Sequence, residues 1–176
     1  MERRNSEITM WDAILNKFKK YPAQERVVRL LLERGFQVTP GGKVVSGGIR
    51  LAHTQIAREA SVDRRAVDGA AAMIMEDSLL RTVFTNIRPI SSLREVAPDL
   101  KLGVIVITPV DAARTGILAS VAVCVAERGI SIMQAIAGDP RLAKRPTLTI
   151  ITDRQIPDDL VGELLKCEGV RGVSVC

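Results

Sequence analysis

Residues 102–118 read Leu-Gly-Val-Ile-Val-Ile-Thr-Pro-Val-Asp-Ala-Ala-Arg-Thr-Gly-Ile-Leu, and this stretch decides how the second half of the chain folds. It opens with a nearly continuous apolar run, Leu102–Thr108, of the length of a buried strand. A short loop follows. Gly116 then opens an apolar segment, 117–128, which has the length of a helix and which Gly129 ends. The stretch therefore predicts a strand, a loop and a helix in succession.

Similar patterns continue from that helix to the end of the chain. Strands are predicted at 131–137, 147–152 and 170–175, and a second helix, with proline at its start, is predicted at 157–167. The order strand-helix-strand-strand-helix-strand is that of the split βαβ unit, an antiparallel sheet with both helices on one face. The second half is therefore predicted to be a ferredoxin-like βαββαβ domain.

The first half of the chain has mainly helical spacing of its apolar residues. Apolar residues between Trp11 and Tyr21, and again within 22–34, recur at helical intervals and predict two helices. The glycine-rich segment 36–48 is predicted to be a flexible hairpin or a long loop. Residues 79–87 are rich in β-forming side chains and are predicted to be a strand.

A change of composition separates the two halves. Proline and serine residues cluster between Pro89 and Pro98. Residues 91–100 are therefore predicted to be a linker between a domain of residues 1–90 and a domain of residues 101–176.

The segment from His53 to Ala72 has the pattern of two helices joined by a turn. Ala57 is small where the second helix would cross the first, and Asp63 is placed to cap the second helix. Ser61 lies in the turn, where glycine is frequent. Apolar residues fill the positions that hold two such helices together, namely Ile56, Ala60, Val62, Val67 and Ala70. This pattern predicts a helix-turn-helix.

The second of these helices begins with two arginines that point away from its apolar face. Arginine at the exposed start of a recognition helix can reach guanine edges or phosphates, and the free N–H groups there favour phosphate. The strand predicted at 79–87 would serve as a wing, whereas a carboxylate facing the duplex would be repelled. The candidate DNA-binding residues are Thr54, Gln55, Arg64, Arg65, Asp68 and Arg81. The alternative is a plain helical hairpin with a solvated arginine face.

The loop before Gly116 has the features of a site for an anionic ligand. Glycine lets a ligand approach the backbone closely. The exposed N–H groups at the start of the following helix can receive a carboxylate, such as that of an amino acid. Arg114 would either pair with that carboxylate or point into solvent.

The same loop resembles the signature of the ACT domain family, which has the form D-x-P-G-h-L. The matching residues are Asp111, Gly116, Ile117 and Leu118, although the loop is longer here and Thr115 stands where the family has proline. The resemblance implies a ligand site where this loop meets the start of the second strand, often across a dimer interface. The candidate ligand-binding residues are Asp111, Arg114, Thr115, Gly116, Ile117, Leu118, Ser131, Ile132 and Met133.

Both halves together resemble the archaeal predicted regulators of amino acid metabolism, and the segments 137–142 and 148–153 add to this likeness. The resemblance implies an α+β protein with an N-terminal winged helix-turn-helix domain followed by a ferredoxin-like βαββαβ ACT domain. It also implies a homodimer, paired through the ACT domains, that binds an amino acid or small-molecule effector and double-stranded DNA to regulate transcription. Two other functions stay open, an allosteric subunit that binds a metabolic enzyme and a dimeric scaffold without a ligand.

Composition argues against several other classes of protein. The net charge is +5, and residues 1–100 carry a balance of +4, which is compatible with nucleic acid. The chain is not expected to be an enzyme or to hold a metal or other cofactor, since its one histidine, His53, leaves little room for histidine-based triads or metal sites. The three cysteines are expected to be reduced. With no signal peptide or membrane span in the sequence, we expect a cytoplasmic protein.

Overall fold

The computed structural model describes residues 10–140, 142–143 and 145–176. The protein is α+β, with helices and antiparallel sheets. The described residues form two compact units, one that ends at Ile90 and one that spans Ser91–Cys176. No described helix is both long enough and apolar enough to cross a membrane.

The first unit is mainly helical in its described part. Its small sheet has the strand order β1-β2-β3, and both pairs are antiparallel. The elements are α1 (Met10–Phe18), α2 (Pro22–Arg34), β1 (Gln37–Val38), β2 (Val44–Ser46), β3 (Ile49–Arg50), α3 (His53–Glu59), α4 (Arg64–Glu76) and α5 (Ser78–Asn86). The segment predicted to be a flexible hairpin or loop therefore contributes to an ordered sheet between α2 and α3.

The prediction of a strand at 79–87 is wrong, because this segment forms the helix α5. The carboxylate of Asp77 accepts a hydrogen bond from the N–H of Leu80 at 3.0 Å and so caps the helix. Leu80 and Phe84, four residues apart, are both fully buried, which matches helical spacing. The cap and the burial of these two side chains outweigh the β-propensity of the segment. The predicted wing is consequently not a strand.

The second unit has a four-stranded antiparallel sheet of order β5-β6-β4-β7. Its elements in chain order are β4 (Gly103–Pro109), α6 (Ile117–Glu127), β5 (Ile132–Ala137), β6 (Leu148–Thr152), α7 (Asp158–Leu164) and β7 (Val170–Val175). Both the element order and the strand order are those of the split βαβ unit.

Residues on opposite faces of this sheet pack into separate cores. On one face, Ile105 and Ile150 pack with residues of both helices, among them Val121 and Leu160. On the other face the buried residues are Ala97, Val104 and Ile151. The sheet is therefore covered by the helices on one face and partly covered on the other.

The segment 91–100, expected to be a linker, packs against the face of the sheet opposite the helices. Its Ala97 side chain is fully buried there. The Gln134 side chain on β5 accepts a hydrogen bond from the N–H of Leu93 at 3.0 Å and donates one to the carbonyl of Ser91 at 2.7 Å. The segment belongs to the second unit because it buries one face of the sheet.

Candidate nucleic-acid and ligand sites

α3 and α4 are joined by a tight turn at residues 60–63. Ser61 has a φ of 53°, in the left-handed region that glycine favours, and so takes the role expected of it in the turn. The N–H of Val62 donates to the carbonyl of Ala57 at 2.9 Å, which closes the end of α3. The chain can therefore begin α4 within a few residues of the end of α3.

The start of α4 is capped as the sequence predicts. The carboxylate of Asp63 accepts a hydrogen bond from the N–H of Arg65 at 2.8 Å. Val67 and Ile74 are fully buried, whereas Arg64 and Arg65 are exposed. The packing thus holds the first turn of α4 with its two guanidinium groups toward solvent.

A polar cavity of about 240 Å³ lies beside this first turn. It combines residues of the segment before β2, of β3, of α3 and of α4. Three of its side chains are cations and one is a carboxylate. The lining residues are Lys43, Arg50, Leu51, Ala52, His53, Thr54, Arg64 and Asp68.

The carboxylate in this cavity, Asp68, has two neighbours. Its Oδ1 atom lies 2.6 Å from Nδ1 of His53, and its Oδ2 atom lies 3.5 Å from Nε of Arg64. The hydrogen bond with His53, helped by the charges of Arg64 and Lys43, holds the pKa of the Asp68 carboxyl below its ordinary value. Asp68 is therefore ionised at neutral pH, and its charge is partly balanced within the protein.

The structure brings together only part of the predicted DNA-binding set. Thr54, Arg64 and Asp68 line the cationic cavity. Gln55 lines a different depression, of about 330 Å³. Arg65 lines neither of these two cavities. Arg81 lies on α5 and donates to the carbonyl of Met75 at 3.3 Å, so it is not on a wing.

Two cations of this cavity, Lys43 and Arg50, were missed at the sequence level. Lys43 lies in the glycine-rich segment 36–48 and Arg50 lies just after it, where the sequence predicts only a flexible hairpin or a long loop. The available signal was their positive charge immediately upstream of the predicted helix-turn-helix.

A smaller cavity of about 160 Å³ lies at the start of α6 in the second unit. Gly116 precedes the helix with a φ of 90°, a conformation that side chains other than glycine rarely adopt. The first N–H groups of a helix have no partner within it, so they are available to a carboxylate. The lining residues are Pro109, Ala112, Arg114, Gly116, Ile117, Leu118, Ala137, Gly138, Thr147 and Leu148.

The guanidinium group at this cavity already has a partner. Arg114 forms an ion pair with Glu168, and its side chain is 45% exposed. The sequence leaves open whether Arg114 contacts a ligand or points into solvent. The structure instead shows it paired with a carboxylate of the same chain. A ligand carboxylate would have to compete with Glu168.

The predicted ligand residues divide between this cavity and other places. Arg114, Gly116, Ile117 and Leu118 line it. Asp111 instead accepts a hydrogen bond from the N–H of Ala113 at 2.9 Å within the loop, and Thr115 is exposed outside the lining.

The start of β5, with Ser131, Ile132 and Met133, is not at this cavity. β4 and β5 run in the same direction, because each is antiparallel to β6. The loop after β4 therefore meets the end of β5 within one chain. That end contributes Ala137 and Gly138, which the sequence-level set omitted.

Gly138 lies close to neighbouring backbone at the edge of the cavity. A Cβ atom there would lie 3.3 Å from the backbone of Pro146 and Thr147, a tight contact that would need these residues to shift by a few tenths of an ångström. In the sequence, the position of Gly138 directly after the strand predicted at 131–137 could have indicated such a close approach.

The described residues contain no group of three or more histidine, cysteine, aspartate or glutamate side chains placed to hold a metal ion. Cys124 and Cys167 lie close together. Burial raises the pKa of the Cys124 thiol to about 11, and the neighbouring Cys167 adds to this.

No family model matches the chain. No curated protein matches it either.

Three solved structures show a weak similarity to the chain. An AsnC family transcriptional regulator from Agrobacterium tumefaciens is 15% identical, with a TM-score of 0.29 over 88% of this chain and 86% of that one. A mutant of Rv3291c is 15% identical, with a TM-score of 0.29 over 87% of this chain and 89% of that one. PH0061 is 13% identical, with a TM-score of 0.26 over 87% and 88%. At these TM-scores the likeness supports no conclusion about the function of this protein.

Proposed function

We propose that this protein is a transcription regulator that binds double-stranded DNA through α3 and α4 and responds to an amino acid or related small metabolite bound at the start of α6. The observation that carries the DNA-binding part is the exposed, capped first turn of α4, whose Arg64 and Arg65 point to solvent beside a cationic cavity. A capped helix that presents arginines at its start can enter the major groove.

The ligand-binding part rests on the cavity that contains Gly116 and Arg114. Free N–H groups and a guanidinium group are suited to a carboxylate. Its volume of about 160 Å³ is below the 300–1,000 Å³ usual for small-molecule sites. We therefore propose that the remainder of the ligand site comes from a second copy of the chain in a homodimer.

Apolar exposure around the second unit also supports pairing. Leu118 on α6 is 48% exposed, Val123 on the same helix is 56% exposed, and Met133 on the edge strand β5 is 55% exposed. Exposed apolar side chains and an open sheet edge favour association with another chain. We assign these exposed side chains and the open edge of β5 to contacts in the homodimer that would place two α4 helices on one duplex.

The test is an electrophoretic mobility shift on genomic fragments, with each amino acid added in turn. We expect retention of at least one fragment above the non-specific background, and a change in its affinity with at least one amino acid. An Arg64→Ala/Arg65→Ala variant should lower the affinity and its salt dependence. Absence of any DNA binding at low salt, together with capture of a metabolic enzyme that does not need these arginines, would replace this function with that of an enzyme-binding subunit.

A further inference from the structure

The cationic cavity combines charges from parts of the chain that are distant in sequence. Lys43 precedes β2, Arg50 ends β3, and Arg64 begins α4. The charges of both Lys43 and Arg64 act on the same carboxylate, that of Asp68. The small sheet therefore brings positive charge to the first turn of the helix that carries the exposed arginines.

The single carboxylate of the cavity does not neutralise this charge. Asp68 is hydrogen-bonded to His53 and lies near Arg64. In the described part of the chain, neither Lys43 nor Arg50 forms an ion pair with a carboxylate. Like charges held close together repel one another, and an oxyanion bound among them would relieve that repulsion.

The chemistry of the lining suits a phosphate group. Arg50 can donate two parallel hydrogen bonds to phosphate oxygens, whereas Lys43 acts as a compact positive charge. Thr54 on α3, whose hydroxyl can donate a hydrogen bond, also lines the cavity. The lining is mainly polar, which is unsuitable for an apolar ligand.

We propose that this cavity binds a backbone phosphodiester of double-stranded DNA through Lys43, Arg50, Thr54 and Arg64. This inference rests on the proposed function. The DNA backbone is favoured over a free phosphate because the cavity adjoins the exposed first turn of α4, where Arg64 and Arg65 would meet a duplex. A phosphate held there fixes the position and orientation of α4 on the duplex without reading sequence.

Asp68 is a positioning residue in this arrangement. Its carboxylate orients the His53 ring and lies within 3.5 Å of the Arg64 guanidinium. The Asp68 carboxylate, which the sequence predicts to oppose phosphate binding, thus has partners within the protein. Lys43 and Arg50, at the small sheet, remain available to contact the phosphate.

The experiment measures the affinity of the full-length protein for a short random-sequence duplex by fluorescence anisotropy across a series of salt concentrations. The test variant is Lys43→Gln/Arg50→Gln. The control is Lys19→Gln/Lys20→Gln, which removes two exposed positive charges that do not line the cavity. We expect the test variant to lose roughly three- to tenfold in affinity at low salt and about 0.9 in the magnitude of the salt slope, and to do so equally on different sequences.

The outcomes separate this inference from the proposed function. If the wild-type protein binds the duplex and the test variant matches the control, the phosphate site is overturned while DNA binding stands. If the wild-type protein does not bind the duplex at all, the proposed function fails as well. A Lys43→Arg/Arg50→Lys variant keeps both charges, and recovery of affinity in it supports the phosphate site over a loss of folding.

Discussion

Nδ1 of His53 lies 2.6 Å from Oδ1 of Asp68, and this hydrogen bond joins the first residue of α3 to the second turn of α4. An ionised carboxylate only accepts hydrogen bonds, so the ring nitrogen is the donor. The other ring nitrogen, Nε2, is buried and has no hydrogen-bond partner in the described part of the protein. The chain's single histidine is therefore held beside the cationic cavity with one defined ring nitrogen toward Asp68.

Replacing Asp68 with asparagine should change the response of folding to acid. Because the pKa of the Asp68 carboxyl is lowered in the folded protein, its ionised form adds stability above the unfolded pKa. That stability is lost as the pH falls through the lower, folded pKa. Wild type should exceed Asp68→Asn in stability near neutral pH, and the difference should vanish in acid. Since the Asp68 side chain is 46% exposed, we expect a difference below about 1 kcal/mol.

Equilibrium denaturant unfolding over a pH series measures this difference. The control is Glu33→Gln, which removes an exposed carboxylate on α2. A stability difference between wild type and Asp68→Asn that stays constant down to strong acid would contradict the role of the lowered pKa.

Gly116 should be needed for its backbone conformation. Its φ of 90° disfavours any L side chain, although a Cβ atom there would meet nothing within 4 Å. Gly116→Ala should therefore destabilise the second unit by about 1–3 kcal/mol through strain alone. Thermal unfolding measures the effect.

Gly162 on α7 provides a matched control. A Cβ atom there also meets nothing within 4 Å, but the residue lies inside a helix. Gly162→Ala should stabilise the protein by about 0.4–1 kcal/mol, because alanine has the higher helix propensity and fewer unfolded conformations. Similar effects of the two substitutions would show that the positive φ is not the cause.

The sequence predicted the second unit better than the first for a physical reason. Most of its strands are apolar runs, and its helices are bounded by local signals, Gly129 after α6 and Pro157 before α7, so local pattern and final structure agree. The segment that became α5 has β-forming residues, and only the cap by Asp77 and the joint burial of Leu80 and Phe84 select the helix. Burial of this kind depends on the rest of the fold.

The ligand cavity could likewise be predicted from the sequence more fully than the cationic cavity. Gly116 could be found because a single residue ends a loop and begins a helix. Lys43 and Arg50 could not, since the small sheet must form before their charges converge on Arg64. Burial of Ala97 in the segment 91–100 likewise depends on that segment lying on the sheet.

The ion pair between Arg114 and Glu168 should set the affinity of the ligand cavity. While Glu168 holds the guanidinium, a ligand carboxylate must displace it or share it. Glu168→Gln should therefore raise the affinity for an amino acid that the wild-type protein binds, and Arg114→Gln should lower it by about tenfold, the effect of losing one charge-assisted hydrogen bond. Both side chains are largely exposed, so each substitution should change stability by less than about 1 kcal/mol. Isothermal titration calorimetry gives the affinities, and equal losses in both variants would indicate that the pair supports the loop structure and does not compete with a ligand.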